Sequence, residues 1–334
     1  MVTLVTGGAG FIGSAVVRAL LARGRAVRVL VEPGGDTRAL AGLEVEQQVG
    51  SVLDAGAVAR AVAGCDVVYH LAAIYRLWMP DDQVLYDVNV EGSRRVLGAA
   101  HRAGARRIIH TSSIAAIGWR ADGGLADEST PFTGWRQGNA YVRSKYLSDR
   151  QAQDMAAAGA PIVIVCPAFP FGPRDLGPTP TGRLIVEALA GRVPGLPPGG
   201  FCAVDVDDVA ACHLLAEERG ALGERYIAGA HNVTYREFYQ VLCRVAGLPP
   251  IRRALPAAIV RAVGWAEEAV ADRFGRPPRL TRQSADYATR RVWYDTRKAR
   301  ALGMPVTSLD QTVASAVAWF RDHGGVGPGP RKRA

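Results

Sequence analysis

The chain has 334 residues, 49% of them hydrophobic, and a net charge of +9 at neutral pH. That length buries a sizeable core in one large or two unequal domains, while the modest positive charge, scattered through arginine-rich loops without a basic motif or stacking platform, argues against a nucleic-acid partner. Five cysteines without C-x-x-C spacing and six scattered histidines make no metal site and suit a reducing cytoplasm, and no apolar run is long enough to span a bilayer.

The first segment, Val2 to Thr6, is a β-branched run that leads through Gly7, Gly10 and Gly13 into an apolar-periodic helix from Ser14 to Arg23. Strand, spaced glycines and helix form the first unit of a dinucleotide-binding fold: the glycines permit a tight turn and close approach of a pyrophosphate, and the helix terminus holds its charge. The chain starts directly in this strand, so no signal peptide is expected. A second strand, Ala26 to Val31, ends at Glu32, 19 residues after Gly13, where a carboxylate can accept hydrogen bonds from the adenosine ribose. That carboxylate would repel a 2′-phosphate, so NAD is expected rather than NADP, although Arg28 and Arg38 lie close by in sequence. The bland reading of Glu32 is an exposed residue in a turn.

Strands alternate with helices up to about Pro167, the pattern of a doubly wound parallel Rossmann sheet. Within this region stands Lys145, one of only three lysines among 40 basic residues. It follows Tyr141 by four positions in a helical stretch, so the two side chains share a face. A compact positive charge there favours the phenolate, and Lys145 is expected to draw the Tyr141 pKa down towards the working pH. Phe169 to Gly200 is rich in proline and glycine and opens a smaller lobe. The expected division is a dinucleotide-binding domain over 1–167, with 201–220 returning to it, a substrate lobe over 168–323, and a disordered tail over 324–334. Leu255 to Phe274 is amphipathic, with Ile259, Val260, Val263, Val270 and Phe274 opposed to Arg261, Glu267, Glu268 and Arg273. Such a helix either lies on a membrane surface or, more commonly, covers a pocket on its own domain.

In order along the chain, Thr6 to Gly13, His70-Leu71-Ala72-Ala73, Asn89-Val90-Glu91-Gly92-Ser93, Thr111-Ser112-Ser113, the Tyr141 and Lys145 pair, and Pro167 resemble the motifs of the extended short-chain dehydrogenase/reductase (NAD-dependent epimerase/dehydratase) family. The closest likeness is to its dihydroflavonol-reductase-like branch, which includes proteins named as hopanoid-associated sugar epimerases. The resemblance covers nearly the whole chain. It implies that Ser113 hydrogen-bonds the reacting oxygen, Tyr141 exchanges its proton, and Lys145 holds the nicotinamide ribose. The implied cofactor set is Gly7, Gly10, Phe11, Ile12, Gly13, Glu32, Ser51, Val52, Leu71, Ala72, Ala73, Asn89, Thr111, Tyr141, Lys145 and Pro167. Asn89 either supports the Lys145 side or braces two helices. A homodimer through the Asn89 and Tyr141 helices is the family's usual assembly.

Three departures from the family pattern narrow the reading, and one from its nearest branch. Ile114 and Ala115 replace the Asp-Glu pair of the dehydratases, and Ala168 replaces the asparagine of many sugar-nucleotide epimerases. Ser51 stands where an aspartate commonly reaches the adenine, leaving that contact to Val52 and backbone. Glu32 occupies a position where members of the nearest branch carry arginine.

Tyr75, Trp78, Trp135, Phe169 and Phe171 flank the predicted catalytic elements and could wall a pocket for a bulky, largely apolar small molecule, or fill core. Arg76, Arg174 and Arg183 could instead meet a phosphate or carboxylate. Three function classes follow: a dehydrogenase or ketoreductase, an epimerase that keeps its nucleotide, and a nucleotide-sensing protein of the same fold. Retention of Tyr141 and Lys145 argues against the third.

Overall fold

The computed structural model describes residues 2–135 and 138–323; the tail over 324–334 lies outside them. Seven strands form one sheet, all in parallel register: β1 (Val2–Thr6), β2 (Ala26–Val31), β3 (Glu46–Val49), β4 (Cys65–His70), β5 (Arg107–Thr111), β6 (Ile162–Pro167) and β9 (Arg225–Ala228), in spatial order β3-β2-β1-β4-β5-β6-β9. The central members are continuous apolar runs because helices cover both faces. β6, for example, is buried at all six positions. From β1 the chain runs outward to β3 and then returns to β4 on the other side. The order therefore reverses between β1 and β4, and a crevice opens over their carboxyl ends.

A second sheet of four short strands is built on β8 (Gly200–Asp205), which pairs with β7 (Phe169–Phe171), β10 (His231–Thr234) and β11 (Arg291–Val292). Its core is aromatic: Phe171, Phe201 and Phe238 pack with ring centroids 4.8 to 5.8 Å apart, under the helices Tyr235–Ala246 and Leu309–His323. The chain returns to the large sheet through the helix Val206–Arg219 and then β9, whereas residues 200–205 belong to the small sheet. The two layers are thus threaded through each other.

Glu217 on that returning helix is buried. It accepts from the Tyr69 hydroxyl at 2.5 Å and pairs with Arg25 and Arg106 at 2.8 and 2.5 Å, joining β2, β4 and the approach to β5 to one helix. The stretch Gln83–Tyr86 continues through a π-helical turn, Asp87–Gly92, into Ser93–Arg102. Gly92 lies against Val52, and a Cβ there would come within 2.8 Å of a Val52 methyl.

Candidate active site

At the crevice, Gly7 has φ of +70°, and a side chain on it would sit 2.6 Å from the Ala72 nitrogen. A Cβ on Gly13 would lie 2.0 Å from the Gly7 carbonyl oxygen. Neither position admits another residue without opening the turn. The helix Phe11–Ala22 that follows begins at Gly10 with no capping side chain and no acidic residue in its first turn. Its terminal N–H groups and the positive end of its dipole therefore face the crevice unopposed, which fits the pyrophosphate of a dinucleotide. Gly7, Gly10, Phe11, Ile12, Gly13, Leu71, Ala73, Thr111 and Pro167 all line one cavity of about 690 Å³, together with Ser113, Tyr141 and Lys145.

Ser113 ends the backbone that leaves β5. Its hydroxyl accepts from the Ala115 N–H at 3.1 Å and stands near enough to the Tyr141 phenol to favour its charged form. Tyr141 is buried, with the Tyr75 ring 4.9 Å from its own. Burial pushes its phenol up to about 12, and Ser113 only partly opposes this. The expectation that Lys145 draws Tyr141 downward is not met: burial raises the phenol, and the ammonium is directed at the Thr111 carbonyl instead. Lys145 Nζ donates to the Thr111 carbonyl at 2.8 Å. Burial lowers Lys145 to about 8, offset in part by Asp149 one turn farther along the helix.

Beneath these groups runs a closed chain of buried hydrogen bonds. His70 Nδ1 meets Thr6 Oγ1 at 2.7 Å and its Nε2 meets Ser93 Oγ at 2.9 Å. Ser93 donates to the Asn89 carbonyl at 2.7 Å, so its oxygen is left to accept from His70 Nε2–H, which fixes the ring tautomer. Asn89 itself accepts from Ile74 N at 2.8 Å and donates to Ile74 O and Ser144 Oγ at 3.2 and 3.0 Å. It ties the loop after β4 to the Tyr141 helix and is off the cavity wall.

Four other expected cofactor residues are also absent from that wall. Ala72 donates its N–H to Thr6 Oγ1 at 3.3 Å, Ser51 Oγ accepts from Leu53 N at 3.3 Å, and Val52 is buried under Gly92. Glu32 is exposed just past β2. The arginines near it in sequence are engaged: Arg28 with Glu46 and the Ala61 and Ala63 carbonyls, Arg38 with Asp36.

The substrate side of the cavity is apolar. Of the five flanking aromatics, Tyr75 and Phe169 line it. Phe171 fills core, Trp78 donates its indole N–H to Asp272 at 2.8 Å, and Trp135 is exposed against Phe132 and Tyr146. Arg76, Arg174 and Arg183 are all off the wall, and Arg174 pairs with Asp207 at 2.5 Å. Tyr235, Tyr239, Tyr287, Leu255 and the helix Ala257–Phe274 complete the lining. Sequence reasoning missed the three tyrosines, whose only local signal was the four-residue spacing of Tyr235 and Tyr239. Besides Lys145, the one cation on the wall among the described residues is Arg253. Among the described residues there is also no cluster able to hold a metal ion.

The sequence profile of the NAD dependent epimerase/dehydratase family matches residues 3–229. The chain belongs to that family. A Synechocystis protein provisionally named dihydroflavonol 4-reductase is 39% identical over 325 residues, covering 96% of this chain and 94% of the relative. Sterol demethylase protein B of Methylococcus capsulatus is 37% identical over 327 residues, covering 97% of this chain and 99% of the relative. The crystal structure of DesIV, a dTDP-glucose 4,6-dehydratase from Streptomyces venezuelae with NAD and TYD bound, is 27% identical and superposes with a TM-score of 0.77 over 97% of this chain and 98% of that one. NAD is the dinucleotide of the family, and the family's reductases and epimerases stand among the relatives of this member. No described helix is long and apolar enough to cross a membrane.

Proposed function

We propose that this protein is an NAD-dependent reductase or dehydrogenase that interconverts a ketone and a secondary alcohol on a bulky, largely apolar molecule. The observation that supports it best is the cavity: one space joins the glycine turn, the Ser113, Tyr141 and Lys145 group, and a wall of aromatic and aliphatic side chains. A nucleotide-sugar diphosphate would ask for several cations there, and the wall offers Arg253 alone beside the catalytic lysine. The sterol in the name of the Methylococcus relative is a molecule of the right chemical class.

A nicotinamide held between the glycine turn and Lys145 would supply or take up the hydride. The chain's own residues manage the proton and the charge. Ser113 donates a hydrogen bond to the substrate oxygen and Tyr141 passes its phenolic proton to that oxygen as alkoxide charge develops, or recovers it in the oxidative direction. A phenol held near 12 remains protonated through the neutral range, so the acid needed for reduction stands ready. Oxidation needs the phenolate and should gain rate as pH rises. Lys145 holds positive charge beside the ribose, anchored by the Thr111 carbonyl. Lying past the carboxyl end of β2, Glu32 is the group we assign to the adenosine ribose, favouring NAD over NADP.

A panel of apolar ketones with NADH tests the reading. Turnover of a bulky ketone that Tyr141→Phe abolishes, with NADH affinity nearly unchanged, is the expected result; unaltered turnover in that variant would remove Tyr141 from the mechanism. Recovery of near-stoichiometric NAD from the denatured protein, with no turnover of free ketones, would favour an epimerase cycle.

A further inference from the structure

Helix Ala257–Phe274 has more apolar surface than the cavity uses. Val260, Gly264 and Ala271 are buried against the protein. Ile259, Val263, Val270 and Phe274 recur at four, seven and four residues, which stacks them on one stripe; Ile259 and Val263 meet the cavity, whereas Val270 and Phe274, 56% and 67% exposed, lie off its wall. Charge is sorted around this stripe. The helix's three acids are each hydrogen-bonded to another segment: Glu267 accepts from the Arg279 and Leu280 N–H groups, Glu268 from Arg282 N, and the exposed Asp272 from the Trp78 indole. Arg252, Arg253, Arg273, Arg276 and Arg279 are exposed at its two ends, and none is in an ion pair among the described residues. An apolar stripe rimmed by arginines that are in no described ion pair, with the acids of the helix hydrogen-bonded to other segments, complements an anionic lipid surface. The same helix lines the cavity through Ile259, Val260 and Val263.

We propose that this helix docks the protein on anionic bilayers, with Val270 and Phe274 at the boundary of headgroups and acyl chains, so that the cavity, along its Ile259 and Val263 wall, opens onto the membrane. An apolar substrate then passes between bilayer and cavity without crossing water. That route rests on the apolar-substrate reading above, whereas the docking itself does not.

Flotation of the purified full chain with vesicles tests the docking without any substrate. The protein should float with vesicles of phosphatidylcholine and phosphatidylglycerol, and less with phosphatidylcholine alone. The double variant Val270→Glu/Phe274→Glu touches neither the cavity wall nor the glycine turn, and should lower partition into anionic vesicles by about tenfold or more. It should keep the wild-type melting temperature and NADH affinity. The proposal is overturned if the wild type stays unbound with both vesicle types, or if the double variant floats equally well. It is also overturned if sedimentation shows a wild-type dimer that the double variant reduces to monomer, because a second copy then covers the stripe. Flotation without turnover of any apolar ketone would leave docking standing and remove the substrate reading.

Discussion

Lys145 and Tyr141 lie one helical turn apart with their polar ends withdrawn from water, and each resists its charged form. For Lys145 the folded value of about 8 stands below the ordinary 10.5. Below pH 8 both states carry the proton and the folded protein bears the full cost of a buried ammonium. Between the two values the folded chain has released a proton that the unfolded chain keeps, so stability rises with pH through that window. The cost is about 3 kcal/mol, less about 1 for the hydrogen bond to Thr111. Lys145→Met should therefore be more stable than wild type at pH 7 by up to about 2 kcal/mol, with the gap closing above pH 10. Urea melts at the two pH values check this, and turnover should be lost at both. Gly13→Ala makes the opposite trade: its Cβ would press on the Gly7 carbonyl at 2.0 Å. At about 1–3 kcal/mol for such overpacking, NADH affinity should fall about ten- to a hundredfold, as titration of NADH fluorescence would read. Replacing Glu32 by arginine should move cofactor preference towards NADP, and an unchanged ratio of the two affinities would withdraw the ribose role assigned to it.

Among the elements, the turn Asp87–Gly92 shows how the site is held. The buried Asn89 side chain makes three hydrogen bonds from it, two to Ile74 and one to Ser144 on the Tyr141 helix. Asn89→Ala should cost about 2–4 kcal/mol by leaving the Ile74 groups unpaired, and should weaken NADH binding because Leu71 and Ala73 of the same loop line the cavity. Differential scanning calorimetry and NADH titration together check it. The π-helical character of this turn was not legible in the sequence, which carries no local pattern for it; its Gly92 packs on Val52, forty residues earlier in the chain. The glycine turn and β6 were legible for the converse reason: a strand, spaced glycines and a helix, or six consecutive buried apolar residues, are local patterns. β7 and β11, of three and two residues, exist only through pairing with β8 and carry no pattern of their own. The tyrosines of the cavity wall come from distant segments in the same way, and the state of Tyr141 turned on burial, which spacing does not reveal.

For the whole molecule, three buried histidines set the response to acid. Burial holds His70 at about 3 and His213 at about 4, and drives His110 well below its ordinary range. Each stays neutral in the fold while the unfolded chain takes up a proton below about 6.5, so each removes up to about 1.4 kcal/mol of stability per pH unit as pH falls through that region. Asp149, Asp175 and Asp205, raised by burial, act in the opposite sense. A difference measurement separates them: the slope of stability against pH between about 6 and 5 should be shallower in His213→Gln than in wild type by up to about 1.4 kcal/mol per unit. Equal slopes would mean that His213 is already protonated in the folded protein. The threading of the two sheets reaches further still. The part of the chain that walls the cavity lies on both sides of β9 and the helix Val206–Arg219, and both of these complete the nucleotide sheet. No contiguous stretch of gene encodes the recognition surface by itself. Descent cannot change what such a protein acts on by swapping a cassette with a cousin; it must proceed by substitutions made in place, each tolerated by a sheet that shares the same chain.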